Sequence, residues 1–249
     1  MGGPSAAELH RAFLASRELV VEASGDGAVA EVGRWQVYDS ATGLAELNQA
    51  MPAGEATPKD AGAAEAWYAA RGAPYCVVLR DPVDAALIAS LGAQGWRLAR
   101  SQPVMARGLP LPAAAVPGVE FVEVRTVEEA MRFLEVRRDP AARRPPEGPE
   151  AEFIARMVAS GRARYLVGLV EGQVAGTVTT LRVGRIVLVS NVFVRPESRR
   201  RRLGTALTEA AANAWPGESH VGLEASAQGE LLYGEMGFTA RFRYVRLVR

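Results

Sequence analysis

Cysteine is almost missing from this chain of 249 residues: Cys76 stands alone, so no intrachain disulfide can form and a reducing compartment is expected. Its neighbours, Tyr75 to Leu79, read as a buried strand, which makes Cys76 a small core residue and not a nucleophile. Histidine is nearly as scarce. His10 and His220 lie far apart in sequence, which excludes a His-rich metal site and argues against a His-based triad, so no metal is expected. Lysine is represented by Lys59 alone among 29 basic residues. Long apolar runs are lacking too. None approaches the roughly 18 residues that cross a bilayer, and the first residues carry neither a basic region nor an apolar core, so neither a membrane partner nor a secretory signal is expected. A cytoplasmic protein is the expectation.

What is present is ordinary in amount and uneven in placement. The chain is 49% hydrophobic and 23% charged, with a net charge of +1. Residues 1–118 carry 9 basic and 12 acidic side chains, whereas residues 119–249 carry 20 and 16. The window 195–202 holds five arginines and one glutamate, which equals the whole excess of the second part. Charge focused at one turn, with no interleaved aromatics, does not describe a nucleic-acid-binding face.

The length suits two domains. Residues 108–118, rich in Pro, Gly and Ala, read as a linker between a domain at 1–107 and a domain at 119–249. In the second, the pattern predicts a strand at 119–124, a helix capped by Thr126 and Glu129, and a helix at 150–160. Strands at 163–171 and 173–182 follow, joined by a tight turn at Glu171-Gly172, then a strand at 185–194. A helix from 203, a strand at 219–225, a helix at 227–236 and a strand at 238–248 complete it. A breaker-rich loop at 139–149 is expected to border the substrate. The first domain reads as a helix near 5–17, strands near 18–23 and 28–38, a helix near 60–71, a strand at 75–80, a helix at 83–94 and a strand at 96–106. Gly95-Trp96 and Gly237-Phe238 stand at corresponding places 142 residues apart, which suggests two copies of one fold. The fold class expected is α+β, with two domains, each a mixed, mostly antiparallel twisted sheet flanked by helices.

The richest segment is Val192-Phe193-Val194-Arg195-Pro196-Glu197-Ser198-Arg199-Arg200-Arg201-Arg202-Leu203-Gly204-Thr205. A strand that feeds a helix through a basic turn aims several unsatisfied N–H groups, and the positive end of the helix dipole, at one spot. A pyrophosphate suits such a spot. The run resembles motif A of the GCN5-related N-acetyltransferases, whose frame is strand, V-x-P, Q/R-x-x-G-x-G/A, helix. Arg199 opens the six-residue frame, Arg202 replaces its first glycine and Gly204 keeps the second. Leu231-Leu232-Tyr233-Gly234-Glu235-Met236-Gly237-Phe238 resembles motif B, whose core is L-Y-x-x-x-G-F. The resemblance is close over 119–249 and faint over 1–106.

The resemblance implies acetyl-coenzyme A as donor, its pantetheine beside Val192, Phe193 and Val194, and its pyrophosphate on the turn from Arg199, Arg200, Arg201 and Arg202 to Leu203, Gly204 and Thr205. Arg202 is expected to fit if its φ is negative. The resemblance further implies that Tyr233 donates a proton to the departing thiolate, and Ser226 stands near where many members use an asparagine toward the cofactor. Glu224 is a candidate general base, as is Glu135, and a water chain to solvent would also serve. A backbone N–H at Phe193 or Val194 would face the oxyanion. Under the spacing of 142, Tyr233 maps to Leu91 and Arg199 to Thr57, so the first copy is expected to be degenerate and to shape the substrate cleft, with Asn48 and the Thr42-Gly43-Leu44 turn as candidate lining. The acceptor is an amine on a small molecule or peptide, and a monomeric pseudo-dimer or a homodimer fits. The alternative is a non-catalytic acyl-coenzyme A sensor or interaction module.

Overall fold

The computed structural model describes residues 3–41, 43–113, 116–137 and 148–249. Most of the 139–149 loop, and Thr42, lie outside them. The described residues divide into two compact units. An N-terminal unit is built on Ser5–Met105 with Glu224–Gly234 and Phe238–Arg249, and a C-terminal unit on Ala106–Leu223 with Glu235–Gly237.

In the N-terminal unit α1 (Ala6–Ser24) starts on Ser5, whose hydroxyl accepts from the Glu8 N–H at 3.2 Å while the Glu8 carboxylate accepts from the Ser5 N–H at 2.8 Å. The expected strand at 18–23 is the last part of this helix. The β-branched pair Val20-Val21 reads as strand locally, but Leu9, Phe13, Ser16 and Leu19 continue one buried helical stripe, and packing of that stripe overrides propensity. The expected strand at 28–38 is a hairpin, β1 (Ala28–Val32) and β2 (Trp35–Asp39), turned at Gly33 with φ +62°. Next come β3 (Gln49–Pro52), which the pattern does not predict, α2 (Pro58–Ala69), β4 (Cys76–Asp81), α3 (Ala85–Ala93) and β5 (Arg97–Gly108).

After the linker come β6 (Val119–Glu123), α4 (Val127–Arg137), α5 (Gly148–Ala159), β7 (Ala163–Val170), β8 (Gln173–Val183), β9 (Ile186–Val194), α6 (Leu203–Asn213), β10 (His220–Glu224), α7 (Ala227–Glu235) and β11 (Thr239–Val248). Glu171 (φ +51°) and Gly172 (φ +75°) make the tight turn between β7 and β8. Within the C-terminal unit the strand order is β10-β9-β8-β7-β6, antiparallel except for the parallel pair β10/β9. Within the N-terminal unit it is β1-β2-β3-β4-β11-β5, where β3/β4 is the parallel pair and β11 runs antiparallel to β4 from Leu247↔Val77 to Arg243↔Asp81.

The repeat is written into the backbone. α3 and α7 begin and end 142 residues apart. Each is closed by the same hydrogen bond, Trp96 N–H to Leu91 C=O at 3.1 Å and Phe238 N–H to Tyr233 C=O at 2.9 Å, around a left-handed glycine, Gly95 or Gly237. Further upstream the spacing widens to 145, which pairs Thr57, the N-cap of α2, with Arg202, the N-cap of α6, and not with Arg199.

The N-terminal core joins Trp35, Val37, Tyr68, Val77, Leu79, Leu91 and Trp96 to Val245 and Leu247 of β11. In the C-terminal unit α6 lies on a floor of two glycines. A Cβ at Gly176 would stand 2.7 Å from the Phe193 carbonyl oxygen and 2.8 Å from Leu207 Cδ1, and one at Gly168 3.3 Å from Leu203 Cδ1. Leu203 and Leu207 therefore seat α6 directly on β7 and β8, each contributing about 1.5–3 kcal/mol of burial. That seat fixes where the helix N-terminus stands relative to the end of β9.

Candidate active site

β9 changes character halfway along. Ile186 to Val189 are buried and paired in parallel with His220 to Leu223 of β10, and no pair of that ladder extends beyond Val189↔Leu223. On the other edge the β8 register shifts between Thr177↔Phe193 and Thr179↔Ser190, so β9 carries one extra residue there. Asn191 sits in this bulge with φ +54° and donates from Nδ2 to Thr179 Oγ1 at 3.3 Å. Beyond it, Val192, Phe193 and Val194 are half-buried, with one backbone edge released from β10. Such an edge can pair with an extended amide-bearing ligand. The sequence signal for the bulge was Asn191 itself, a residue that tolerates the left-handed region, interrupting an apolar run.

The chain leaves β9 through a single 3₁₀ turn at Pro196–Ser198, and Arg199 Nε donates back to the Val194 carbonyl at 3.1 Å. Arg199 to Arg202 are all exposed. Arg200 has φ +63° and Arg202 φ +59°, whereas Arg199 has φ −69° and Arg201 is not among the positive-φ residues. The condition set for Arg202, a negative φ, is therefore not met: the position retains the left-handed backbone that a glycine would adopt freely. Alternating φ signs turn successive N–H groups toward one concavity. The first α6 ladder bond runs from Ala206 N–H to Arg202 C=O at 3.0 Å, and Arg202 supplies no side-chain cap. The N–H groups of Leu203, Gly204 and Thr205 thus precede the ladder and remain available. Leu203 and Thr205 have buried side chains, so they offer backbone only.

Tyr233, Ser226 and Glu224 belong to the N-terminal unit. Tyr233, on α7, is 7% exposed, its ring tilted against Phe238 at 5.7 Å. Ser226 caps α7, its Oγ accepting from the Gly229 N–H at 3.1 Å. Glu224 is bound to β11: both carboxylate oxygens accept from Arg246, the Oε2–Nη2 contact at 2.7 Å, and the side chains are 14% and 11% exposed. Burial opposes the Arg246 charge, but the Glu224 hydrogen bonds and carboxylate more than offset it and hold its pKa above the ordinary value. Both oxygens of this carboxylate are thus engaged by one guanidinium. Glu135 is exposed on α4.

Other residues have structural roles. Asn48, fully buried, accepts from the Ser40 N–H and hydroxyl at 2.8 and 2.9 Å and donates to the Pro74 carbonyl at 2.9 Å, so it braces loops and does not line a cleft. Cys76 is buried, and burial pushes its thiol up to about 11. Among the described residues no group of three His, Cys, Asp or Glu could hold a metal, and no helix is long and apolar enough to cross a membrane.

Residues 161–240 match the model of the acetyltransferase (GNAT) domain. No curated protein sequence matches the chain. Among solved structures, a GCN5-related N-acetyltransferase from Kribbella flavida superposes with a TM-score of 0.72 at 17% identity, covering 98% of this chain and 95% of that one. A tandem GNAT protein from the clavulanic acid biosynthesis pathway, without acetyl-coenzyme A, gives 0.62 at 17% identity over 100% and 98%. One from Sphaerobacter thermophilus gives 0.61 at 18% identity over 81% and 72%. At these identities the solved structures show a shared fold.

Proposed function

We propose, because residues 161–240 match the model of the acetyltransferase (GNAT) domain, that the chain is an acyltransferase that moves an acetyl group from acetyl-coenzyme A directly to an amine of a small molecule or peptide. The observation that carries the donor half is the open N-terminus of α6, with its alternating turn and no side-chain cap, at the foot of a strand that has left its parallel neighbour. Backbone N–H groups of Arg200 to Thr205 hold the pyrophosphate, and the guanidinium groups of Arg199 to Arg202 add bidentate contacts to phosphate oxygens. The released edge of Val192 to Val194 pairs with the pantetheine amides.

The amine nitrogen attacks the thioester carbon, and the carbonyl oxygen takes up negative charge facing a backbone N–H at Phe193 or Val194. Collapse breaks the carbon–sulfur bond, and Tyr233 gives its proton to the departing thiolate. A thiol of pKa near 8.5 leaves readily, so this proton is worth about 10²–10⁴-fold. With Glu224 held by Arg246, solvent water takes the proton from the amine. The N-terminal copy is degenerate, and the protein works in the cytoplasm as a monomeric pseudo-dimer or a homodimer.

The engagement of Glu224 also favours a second reading, a non-catalytic acyl-coenzyme A sensor. Acetyl transfer measured across a panel of amines separates the two, since a sensor binds coenzyme A and acetylates none. The donor site is tested by Gly204→Trp, which fills the place where a phosphate must approach the helix. Calorimetry is expected to show coenzyme A binding weakened at least about tenfold; unchanged affinity removes the α6 terminus from the donor site.

A further inference from the structure

Within the N-terminal unit α1 meets β11 along a stripe that turns from aromatic to cationic. His10 lies 6.3 Å from Phe242 and 5.9 Å from Tyr244, ring to ring, and Phe13 packs edge-on to Tyr244 at 5.5 Å. His10 Nε2 donates to the Pro52 carbonyl at 2.7 Å, and Nδ1 accepts from the Tyr244 hydroxyl at 2.8 Å, so the aromatic end is closed and satisfied. Residues 10, 13 and 17 share one helical stripe, and 242, 244 and 246 share one strand face. The next contact in the series therefore sets Arg17 against Arg246.

These two cations face one carboxylate, and it is already used. Both Glu224 oxygens accept from Arg246. Arg17 Nε is sealed from solvent with no acceptor among the described residues, while the residue as a whole is only half-buried. Burial, and after it the Arg246 charge, pulls the Arg17 pKa below the ordinary arginine value. An unpaired cation under a helix is costly and gains nothing for the fold, since an apolar side chain of similar length would pack there better. Its fork is suited to an oxyanion, and the residue keeps part of its surface in solvent.

We propose that Arg17, with Arg246 beside it, forms an oxyanion subsite in the N-terminal unit that holds a carboxylate or phosphate group of the acceptor. The subsite rests on the acetyl-transfer reading only for the identity of the molecule bound.

Arg17→Met keeps the length of the stem and removes the cation. With coenzyme A present to fill the α6 turn, thermal midpoints are compared at fixed ionic strength in chloride, acetate and phosphate. The wild-type midpoint is expected to rise in one of the two oxyanions, which names the source. Arg17→Met should match or exceed the wild type in chloride and lose that rise. Matched amines carrying a carboxylate, a phosphate or a neutral amide then serve as acceptors: the wild type should prefer one oxyanion by at least about tenfold in kcat/KM, and the variant should lose the preference while keeping kcat on the neutral amine. An oxyanion rise or preference that survives in Arg17→Met overturns the subsite, as does a fall in its chloride midpoint with the preference intact. If no amine is acetylated, the transfer reading fails, and a rise lost in Arg17→Met still upholds the subsite.

Discussion

Two helices occupy the same place in the two halves of this chain, and their first turns have opposite chemistry. At α6, Arg202, Leu203, Gly204 and Thr205 present backbone N–H groups with no side-chain cap. At α2 the corresponding residues are Thr57, Pro58, Lys59 and Asp60. The Thr57 N–H is taken by Asp60 Oδ2 at 2.9 Å, Pro58 has no N–H to give, and the Asp60 N–H returns to the Thr57 carbonyl at 3.0 Å. The Asp60 carboxylate, held below its usual range first by the Thr57 hydroxyl and then by the Thr57 N–H, stands where an anion would. One turn is closed by its own acid and the other is open to a ligand's. The difference predicts one coenzyme A per chain.

The largest effect is expected where the halves differ in the group proposed to give up its proton. Tyr233 and Leu91 accept the same closing hydrogen bond from Phe238 and Trp96, so the repeat preserves the backbone and changes the side chain. Tyr233→Phe should lower kcat about 10²-fold or more with coenzyme A affinity within about twofold. Unchanged kcat removes Tyr233 from the mechanism. Next in size comes the loss of coenzyme A affinity in Gly204→Trp, to which Lys59→Trp, its counterpart on α2, is the matched control. Weakened binding in both variants would mean that the closed turn is not closed.

The C-terminal half was more legible than the N-terminal half, and the reasons are local. The β7–β11 elements fall within two residues of the pattern because each is long, periodic and bounded by a turn of clear type, such as Glu171-Gly172. β3 escaped because four fully buried residues, Gln49 to Pro52, carry no alternation. The tail of α1 was misread because Val20-Val21 is a strand signal only when the stripe beneath it is ignored. The open turn was legible in its residue types, but its backbone was not: nothing in four consecutive arginines says that the second and fourth are left-handed. The Glu224–Arg246 pair is a contact within the N-terminal unit between residues 22 apart in sequence that no spacing rule announces.

A stability difference follows from the buried histidine of the N-terminal half. Burial lowers the His10 pKa from 6.5 to about 4. The unfolded chain therefore takes up a proton near pH 6.5 that the folded chain refuses, so stability is lost as the pH falls from about 6.5 to about 4 and levels off below. The loss amounts to at most about 3 kcal/mol. Denaturant titrations of the wild type and His10→Gln between pH 7 and pH 4 should show a steeper acid slope in the wild type, and parallel slopes would refute the assignment.

The smallest effect separates what the open turn does with its backbone from what it does with its charge. A side chain at φ +59° costs on the order of 1 kcal/mol relative to glycine. Arg202→Gly should therefore stabilise the protein, offset in part by the freedom glycine adds to the unfolded chain, with a net rise of at most about 2 °C in the thermal midpoint. Thr57→Gly, at φ −114°, has no strain to release and should lower it. If the N–H groups hold the pyrophosphate, Arg202→Gly keeps most of the affinity and loses only a salt-sensitive increment from one guanidinium. If the arginine side chains do the holding, affinity falls steeply and the strain at residue 202 has no role in binding. Calorimetry at two salt concentrations, read beside the thermal midpoint, distinguishes a strained backbone kept for its donors from a charged surface turn.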